Sequence, residues 1–438
     1  MRFQQPRLWL SLAALWVLIV NSALFVLYWW PSPKRLRGDE QTYVNAAQDL
    51  VEGGALVVDS MWPPGQAWIV AAVDGSLPLV QFIQFIFLLG VAWLASRLCR
   101  QWCQDSLAAT IVAIVLLAYP PFAAYAQYLW PEMAHLFFLL LSWLLLVRDG
   151  EDHAPLSMLG TFCAGLSLGA ALLIKSVGLL FLPLLLFLLP RGQLLKSASV
   201  FVLGVMLVLV PISAIKYEET GHWSLHTSGP FNLWVGLNDV SRQGHVRPIA
   251  GRESAKFYRS ADSMQQRNVI YLNKSIELID QAGPVSTLME QLIKQPFRLF
   301  DYESFFSTER GYALAQSPWA RGLVHYSSAF YVVLMLGAWY GMLSWPRRRR
   351  GWWVPFAFVA YVCGLLLLLH AKARFRIVFV PCLAMFFAWS LSRWLQVGIR
   401  QSWYDLGRVR QITFLAGAPI VLIFTLGAAW LDRHYPIS

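Results

Sequence analysis

The chain has 438 residues, of which 57% are apolar and only 13% charged, and it carries a formal net charge of +11. Soluble domains devote roughly 25% of their residues to charge, so this composition excludes a single soluble domain. The positive excess needs no nucleic acid, because basic residues gathered on one side of a membrane account for it.

Runs of about 20 apolar residues recur, long enough at 1.5 Å per residue to cross about 30 Å of hydrocarbon. They lie near 8–29, 79–98, 107–122, 131–147, 197–215, 323–345, 352–370, 376–392 and 411–430. The stretch 156–190 exceeds one span and divides into two short helices, 156–174 and 176–190, meeting at Lys175–Ser176. Nine runs plus these two give 11 predicted spans. The first run, Leu8–Trp29, reads as a retained helix rather than a cleaved signal peptide: it is long, holds Trp16 and Trp29, and precedes many further spans.

The connections after even-numbered spans carry Arg97, Arg100, Arg148, Arg191, Lys196, the run Arg347 to Arg350, Arg393, Arg400, Arg408 and Arg410. With a cytoplasmic N-terminus, marked by Arg2 and Arg7, all fall on the cytoplasmic side. The opposite side receives the long connections 30–78 and 216–322 and the C-terminus. Lys34, Arg35 and Arg37 depart from the charge rule there, through anion binding or through the tolerance of a long loop. The chain thus divides into a membrane module, 1–215, whose first outer loop spans 30–78; a large loop or small covering domain, 216–322; and a second membrane module, 323–438. The five cysteines lie in or beside predicted spans and form neither a disulfide framework nor a CxxC metal site.

Candidate chemistry collects on the side of the long connections. A periodic stretch from about Thr42 to Val51 predicts a short helix on the membrane surface, with Asp39 at or just before its N-terminus, where free N–H groups favour a carboxylate. Capping explains one acid but not the adjoining pair Asp39–Glu40, which is a candidate general base, metal ligand or both. Trp62-Pro63-Pro64-Gly65 predicts a rigid bend. Glu132 stands at the start of an apolar span, and acids at that depth are functional suspects. Lys175 interrupts an apolar segment at the outer level, placed to snorkel or to meet a lipid phosphate. In the large loop, 264–281 and 285–299 have helical patterning bounded by Pro284 and Pro296. Phe231 to Asp239 combines aromatics with amides suited to a sugar. His222 and His226 form no HExxH motif. The last outer connection, His370 to Arg376, holds four basic side chains close to the headgroup level, and arginine's planar fork suits phosphate oxygens.

These segments together resemble the GT-C glycosyltransferases that use polyprenyl-phosphate sugars, the broad group containing protein O-mannosyltransferases and the lipid A aminoarabinose transferase. The resemblance covers roughly residues 8–392. It rests on Gly38-Asp39-Glu40-Gln41-Thr42-Tyr43, Trp62-Pro63-Pro64-Gly65, Trp130-Pro131-Glu132, Gly165–Lys175, Phe231–Gly236 and Arg374–Pro381. It implies an all-helical, polytopic membrane protein of GT-C type with interfacial helices and a large periplasmic loop. It further implies inverting transfer of a sugar from a polyprenyl monophosphate to a periplasmic protein, such as pilin, or to an envelope glycan or lipid.

Under the resemblance, Asp39 is the leading catalytic residue, with Glu40 supporting it or binding a metal. Lys175, Lys372, Arg374 and Arg376 hold the donor phosphate. Tyr43, Trp62, Glu132, Asn232 and Trp234 contact substrate. A divalent cation (Mg2+, Mn2+ or Zn2+) is the one cofactor entertained, with Glu40 and His325 as candidate ligands; no nucleotide, organic cofactor or nucleic-acid partner is expected. The setting implied is the bacterial inner membrane with the site facing the periplasm. Trp62 stands where aminoarabinose transferases tend to have lysine, and Phe375 where tyrosine is common, so lipid A specificity is not carried over. The alternatives are a transporter or flippase, for which no inverted repeat is visible, and a noncatalytic assembly protein.

Overall fold

The computed structural model describes residues 6–29, 36, 39–54, 61–147, 157–220, 223, 228–238, 253, 256–257, 259–302, 318–347 and 349–427. Lys34, Arg35, Arg37, Gly38, Arg148, His222, His226 and Asp239 lie outside the described residues. No strand occurs among the described residues.

The membrane helices are α1 (Pro6–Trp29), α4 (Leu77–Cys103), α5 (Ser106–Ala118), α7 (Glu132–Leu146), α8 (Met158–Ile174), α10 (Leu194–Thr220), α14 (Pro318–Ser344), α15 (Val354–Leu368), α16 (Val380–Val397) and α18 (Arg408–Leu426). Among the described residues six helical segments are long and apolar enough to cross a membrane, and a seventh is if a bent pair counts as one span. Four more apolar runs are helical but shorter. The protein is a polytopic helical membrane protein.

Two departures from the expected spans have local causes. The run 107–122 stops at Ala118 because Tyr119 precedes Pro120-Pro121 and is held extended (φ −85°, ψ 104°). The following turn, α6 (Pro120–Ala123) with its 3-10 continuation Ala124–Gln127, departs from α5 by 68°. The run 176–190 is not one α-helix. It forms 3-10 segments, Ser176–Phe181 and Leu186–Leu188, around a single turn α9 (Leu182–Leu185), since Pro183 supplies no N–H.

Shorter elements cluster at one end of the bundle. They are α2 (Asp39–Gly53), α3 (Gly65–Ala71), α11 (Ser228–Asn238), α12 (Met264–Ala282) and α13 (Pro284–Leu299). Ser263 caps α12 by accepting from Gln266 N–H, and Pro284 opens α13 at a position needing no donor. Pro296 lies inside α13, near its end, rather than closing it. At the opposite end α17 (Ile399–Asp405) joins α16 to α18, and the basic residues Arg347, Arg393, Arg400 and Arg408 stand at helix ends there.

Small residues set the helix spacing that delivers the site. Gly165 and Gly169, one turn apart on α8, lie against Phe201, Val205 and Val208 of α10, and a Cβ at Gly165 would overlap the Phe201 carbonyl. Gly341 of α14 meets the Phe386 carbonyl of α16 in the same way. The first contact fixes α8, which ends at Lys175. The second fixes α16, which begins just after Arg374 and Arg376.

Candidate active site

The Asp39–Glu40 pair occupies the first turn of α2. Adjacent helical residues point about 100° apart, and the two acids part accordingly. Glu40 is fully buried and accepts a hydrogen bond from Leu129 N–H at 3.0 Å. Asp39 faces a cavity, and its Oδ2 accepts from Arg374 Nη2 at 2.7 Å.

Arg374 sits in the 3-10 segment Ala373–Phe379. Its guanidinium lies 5.2 Å from the Trp130 ring and 5.3 Å from Phe375. Trp130 in turn stacks on Tyr128 at 4.2 Å, nearly parallel. Buried glutamines hold this aromatic turn by its carbonyls. Gln66 of α3 donates to Leu129 O, and Gln81 and Gln84 of α4 donate to Gln127 O and Trp130 O. Tyr125 OH donates to Arg374 O at 3.3 Å, tying the turn to the basic segment.

A second ion pair lies on the same wall. Lys175 is extended (φ −153°, ψ 117°) between the end of α8 and the next 3-10 segment, as its interruption of the apolar run predicts. Its Nζ donates to Glu132 Oε1, at the first turn of α7, at 2.7 Å. Tyr43, one turn beyond Asp39, is buried between these pairs. Burial pushes its phenol well above the ordinary range, the negative charges of Glu132 and Asp39 add to the rise, and Arg374 opposes it. The hydroxyl therefore remains a protonated donor.

The cavity has a volume of about 670 Å³. Asp39, Tyr43, Trp62, Glu132, Lys175, Asn232, Lys372 and Arg374 all line it, so most of the sequence-derived candidates converge. His370 lines it as well. The other wall is apolar, formed by Val177, Leu179 and Leu180 beyond Lys175 and by Leu365, Leu366 and Leu369 around the end of α15. Leu179 and Leu180 are 40% and 68% exposed, so the cavity opens on the molecule's apolar flank. Tyr361 OH donates to Val177 O at 2.6 Å and ties the two sides of that wall.

Four candidates lie elsewhere. Glu40 is committed to the Leu129 backbone behind the wall. Trp234 is 2% exposed and packs on Tyr271 and Phe257, away from the cavity that Asn232 faces. Arg376 is buried, donates to the backbone carbonyls of Leu299 and Asp301, and stacks over Tyr331 at 3.9 Å. His325 is exposed on α14 and does not line the cavity. Glu40 and His325 therefore do not meet Asp39 as metal ligands, and among the described residues no three His, Cys, Asp or Glu side chains form such a set.

Sequence reading missed the amides that position the basic segment. Gln295 of α13 accepts from Ala371 N–H at 2.9 Å, and Gln291 donates to Gly236 O at 3.0 Å. Gly236 of α11 lies against Leu369 and His370 so closely that a Cβ would overlap the Leu369 carbonyl. The available signal was a pair of glutamines at i, i+4 on one face of α13.

No protein-family model matches the chain, and no curated protein matches it in sequence. Among solved structures, the chain is similar to the archaeal oligosaccharyltransferase AglB from Archaeoglobus fulgidus, in complex with an inhibitory peptide and a dolichol-phosphate. The identity is 13% and the TM-score 0.47; the match covers 100% of this chain but 57% of the AglB chain. It is also similar to ArnT from Cupriavidus metallidurans in the apo state, at 14% identity and a TM-score of 0.35, covering 88% of this chain and 76% of that one. At these values the reading of the site stands on its own side chains.

Proposed function

We propose that the protein is a GT-C-type glycosyltransferase that moves a sugar from a polyprenyl monophosphate to an acceptor hydroxyl or amine at the periplasmic face of a bacterial inner membrane. The observation that carries this reading is the junction of two walls in one cavity. Paired charges, Asp39–Arg374 and Glu132–Lys175, meet an apolar wall open to the lipid flank. A lipid phosphate needs that combination: cations for the headgroup and an apolar path for its chain.

In this reading Arg374, Lys372 and Lys175 face the donor phosphate. The Arg374 guanidinium donates from Nη2 to Asp39 and borders the cavity, where its planar fork suits phosphate oxygens. Asp39 takes the acceptor's proton as the acceptor attacks the anomeric carbon from the face opposite the phosphate. The sugar–phosphate C–O bond breaks and polyprenyl monophosphate leaves with the bonding electrons. Its developing charge is met by the fixed cations in a partly dehydrated site, where such stabilisation is strongest. Asn232 and Trp62 border the space left for the sugar. No step is assigned to a metal.

The test is transfer of labelled sugar from polyprenyl-phosphate donors to fractionated envelope acceptors, with a chelator arm. Asp39→Asn is expected to lower the rate by about 10²–10⁴-fold with donor binding retained. Full activity in that variant would remove Asp39 from the chemistry but leave the enzyme class standing. Absence of transfer by the wild-type chain across a broad donor and acceptor panel would sink the transferase reading.

A further inference from the structure

Helix α13 is amphipathic in the inverted sense. Its polar side chains Gln291, Lys294, Gln295 and Arg298 are at most 4% exposed and face the protein. Its apolar side chains Val285, Leu288, Met289, Leu292 and Ile293 are 41–76% exposed. On a helix with 100° between residues these two sets fall on opposite faces. In water such a helix would be favoured the other way round, since each exposed large apolar side chain forgoes the gain of its burial. The arrangement is stable only where the surroundings of the outward face are themselves apolar.

The neighbours of α13 indicate what those surroundings are. Phe297 meets Phe424 of α18 edge to face at 5.1 Å, and Tyr302 N–H, just past the helix, donates to Thr425 O at 3.0 Å. Thr425 is at the end of α18, whose Ile412, Leu415, Ile420 and Ile423 are exposed along a membrane-crossing length. On its inner side α13 packs along the end of α15 through Gln295 and the Ala371 backbone. The apolar face of α13 thus continues the flank of the bundle that lipid covers.

We propose that α13 is embedded in the lipid leaflet on the cavity side, with its Leu288–Leu292 face among acyl chains and its polar face bracing the cavity. A lipid surface is favoured over a protein partner because the outward stripe runs into the lipid-facing surface of α18. Gln295 then links a lipid-seated helix to the segment carrying Lys372 and Arg374. The inference does not depend on the transfer reaction.

The test places a polarity-sensitive fluorophore on single introduced cysteines in the full chain, reconstituted in nanodiscs of phosphatidylethanolamine and phosphatidylglycerol. Leu288→Cys and Leu292→Cys are compared with Ile423→Cys as the lipid-facing standard and with Lys274→Cys, exposed on α12, as the aqueous one. The parent chain, whose five cysteines lie in or beside spans, is the blank. The expected result is blue-shifted emission at 288 and 292, quenched by shallow spin-labelled lipids to the extent seen at 423 and resistant to iodide. Quenching by iodide as at 274 would overturn the proposal by placing the face in water. Protection from both quenchers would overturn it equally, by showing a protein covering the stripe.

Discussion

The wall of the cavity and the layer directly behind it are built from the same short segments, yet they do different work. On α2, Asp39 faces the cavity and Glu40 the interior. On α11, Asn232 lines the cavity while Trp234 packs against Tyr271. In the 3-10 segment that leads into α16, Arg374 meets Asp39, whereas Arg376 binds the carbonyls that end α13. At 120° per residue in a 3-10 helix, two steps turn a side chain through 240°. Residues one or two apart therefore separate into a group exposed to ligand and a group that fixes where the first one stands.

The strongest test of that separation changes the two arginines in parallel. Arg374→Ala should lower transfer by about 10²–10³-fold, the cost of removing one preorganised donor to developing charge. Its melting temperature in detergent should hardly move, because a partly exposed pair such as Arg374–Asp39 contributes about 1 kcal/mol or less. Arg376→Ala should show the reverse order of effects. It leaves the Leu299 and Asp301 carbonyls without their donor and loses the stack over Tyr331, a cost of about 2–4 kcal/mol in stability. If Arg376→Ala melted normally and lost donor binding, the two layers would not be distinct.

Gly236 tests the layer from the other side, through backbone alone. Gly236→Ala would drive a methyl into the Leu369 carbonyl and push α11 off the segment that leads to Lys372 and Arg374. Overpacking of this kind costs about 1–3 kcal/mol. The expected outcome is a lower melting temperature together with weakened donor affinity. Gly364→Ala, on the exposed face of α15 with nothing within 4 Å, should lower neither.

The sequence was most readable where one residue broke a pattern. A lysine inside an apolar run marks the end of α8 at Lys175, and an acid before a periodic stretch marks the start of α2 at Asp39. Pro284 and the alternation around it mark α12 and α13. The residues facing the cavity were legible as types: acids, cations and aromatics placed at the membrane surface. Which member of each close pair faces inward was not legible, because a buried Arg376 or Glu40 becomes tolerable only once its backbone partner is in place, and that partner lies tens to hundreds of residues away. Gln66, Gln84 and Gln295 escaped notice for the same reason, since an amide in a helix shows its acceptor only in three dimensions. The count of spans was blurred by prolines, which bend the chain at Pro120 and break the helix around Pro183.

The finest test concerns Tyr43, the cavity-facing phenol held between both ion pairs. Its pKa is raised by burial and by the Glu132 and Asp39 charges, so its proton is retained through and beyond the ordinary range near 10. A phenol in that state donates a hydrogen bond but does not act as a base at neutral pH. Tyr43→Phe should consequently cost one donor, about 0.5–1.5 kcal/mol, or roughly a 2- to 13-fold fall in kcat/KM. The shape of the pH profile between pH 6 and 9 should be unaltered, because the removed group does not titrate there. Loss of an alkaline or acidic limb in the Phe variant would mean that Tyr43 ionises during turnover, and the proton would then pass through α2 by a route other than Asp39.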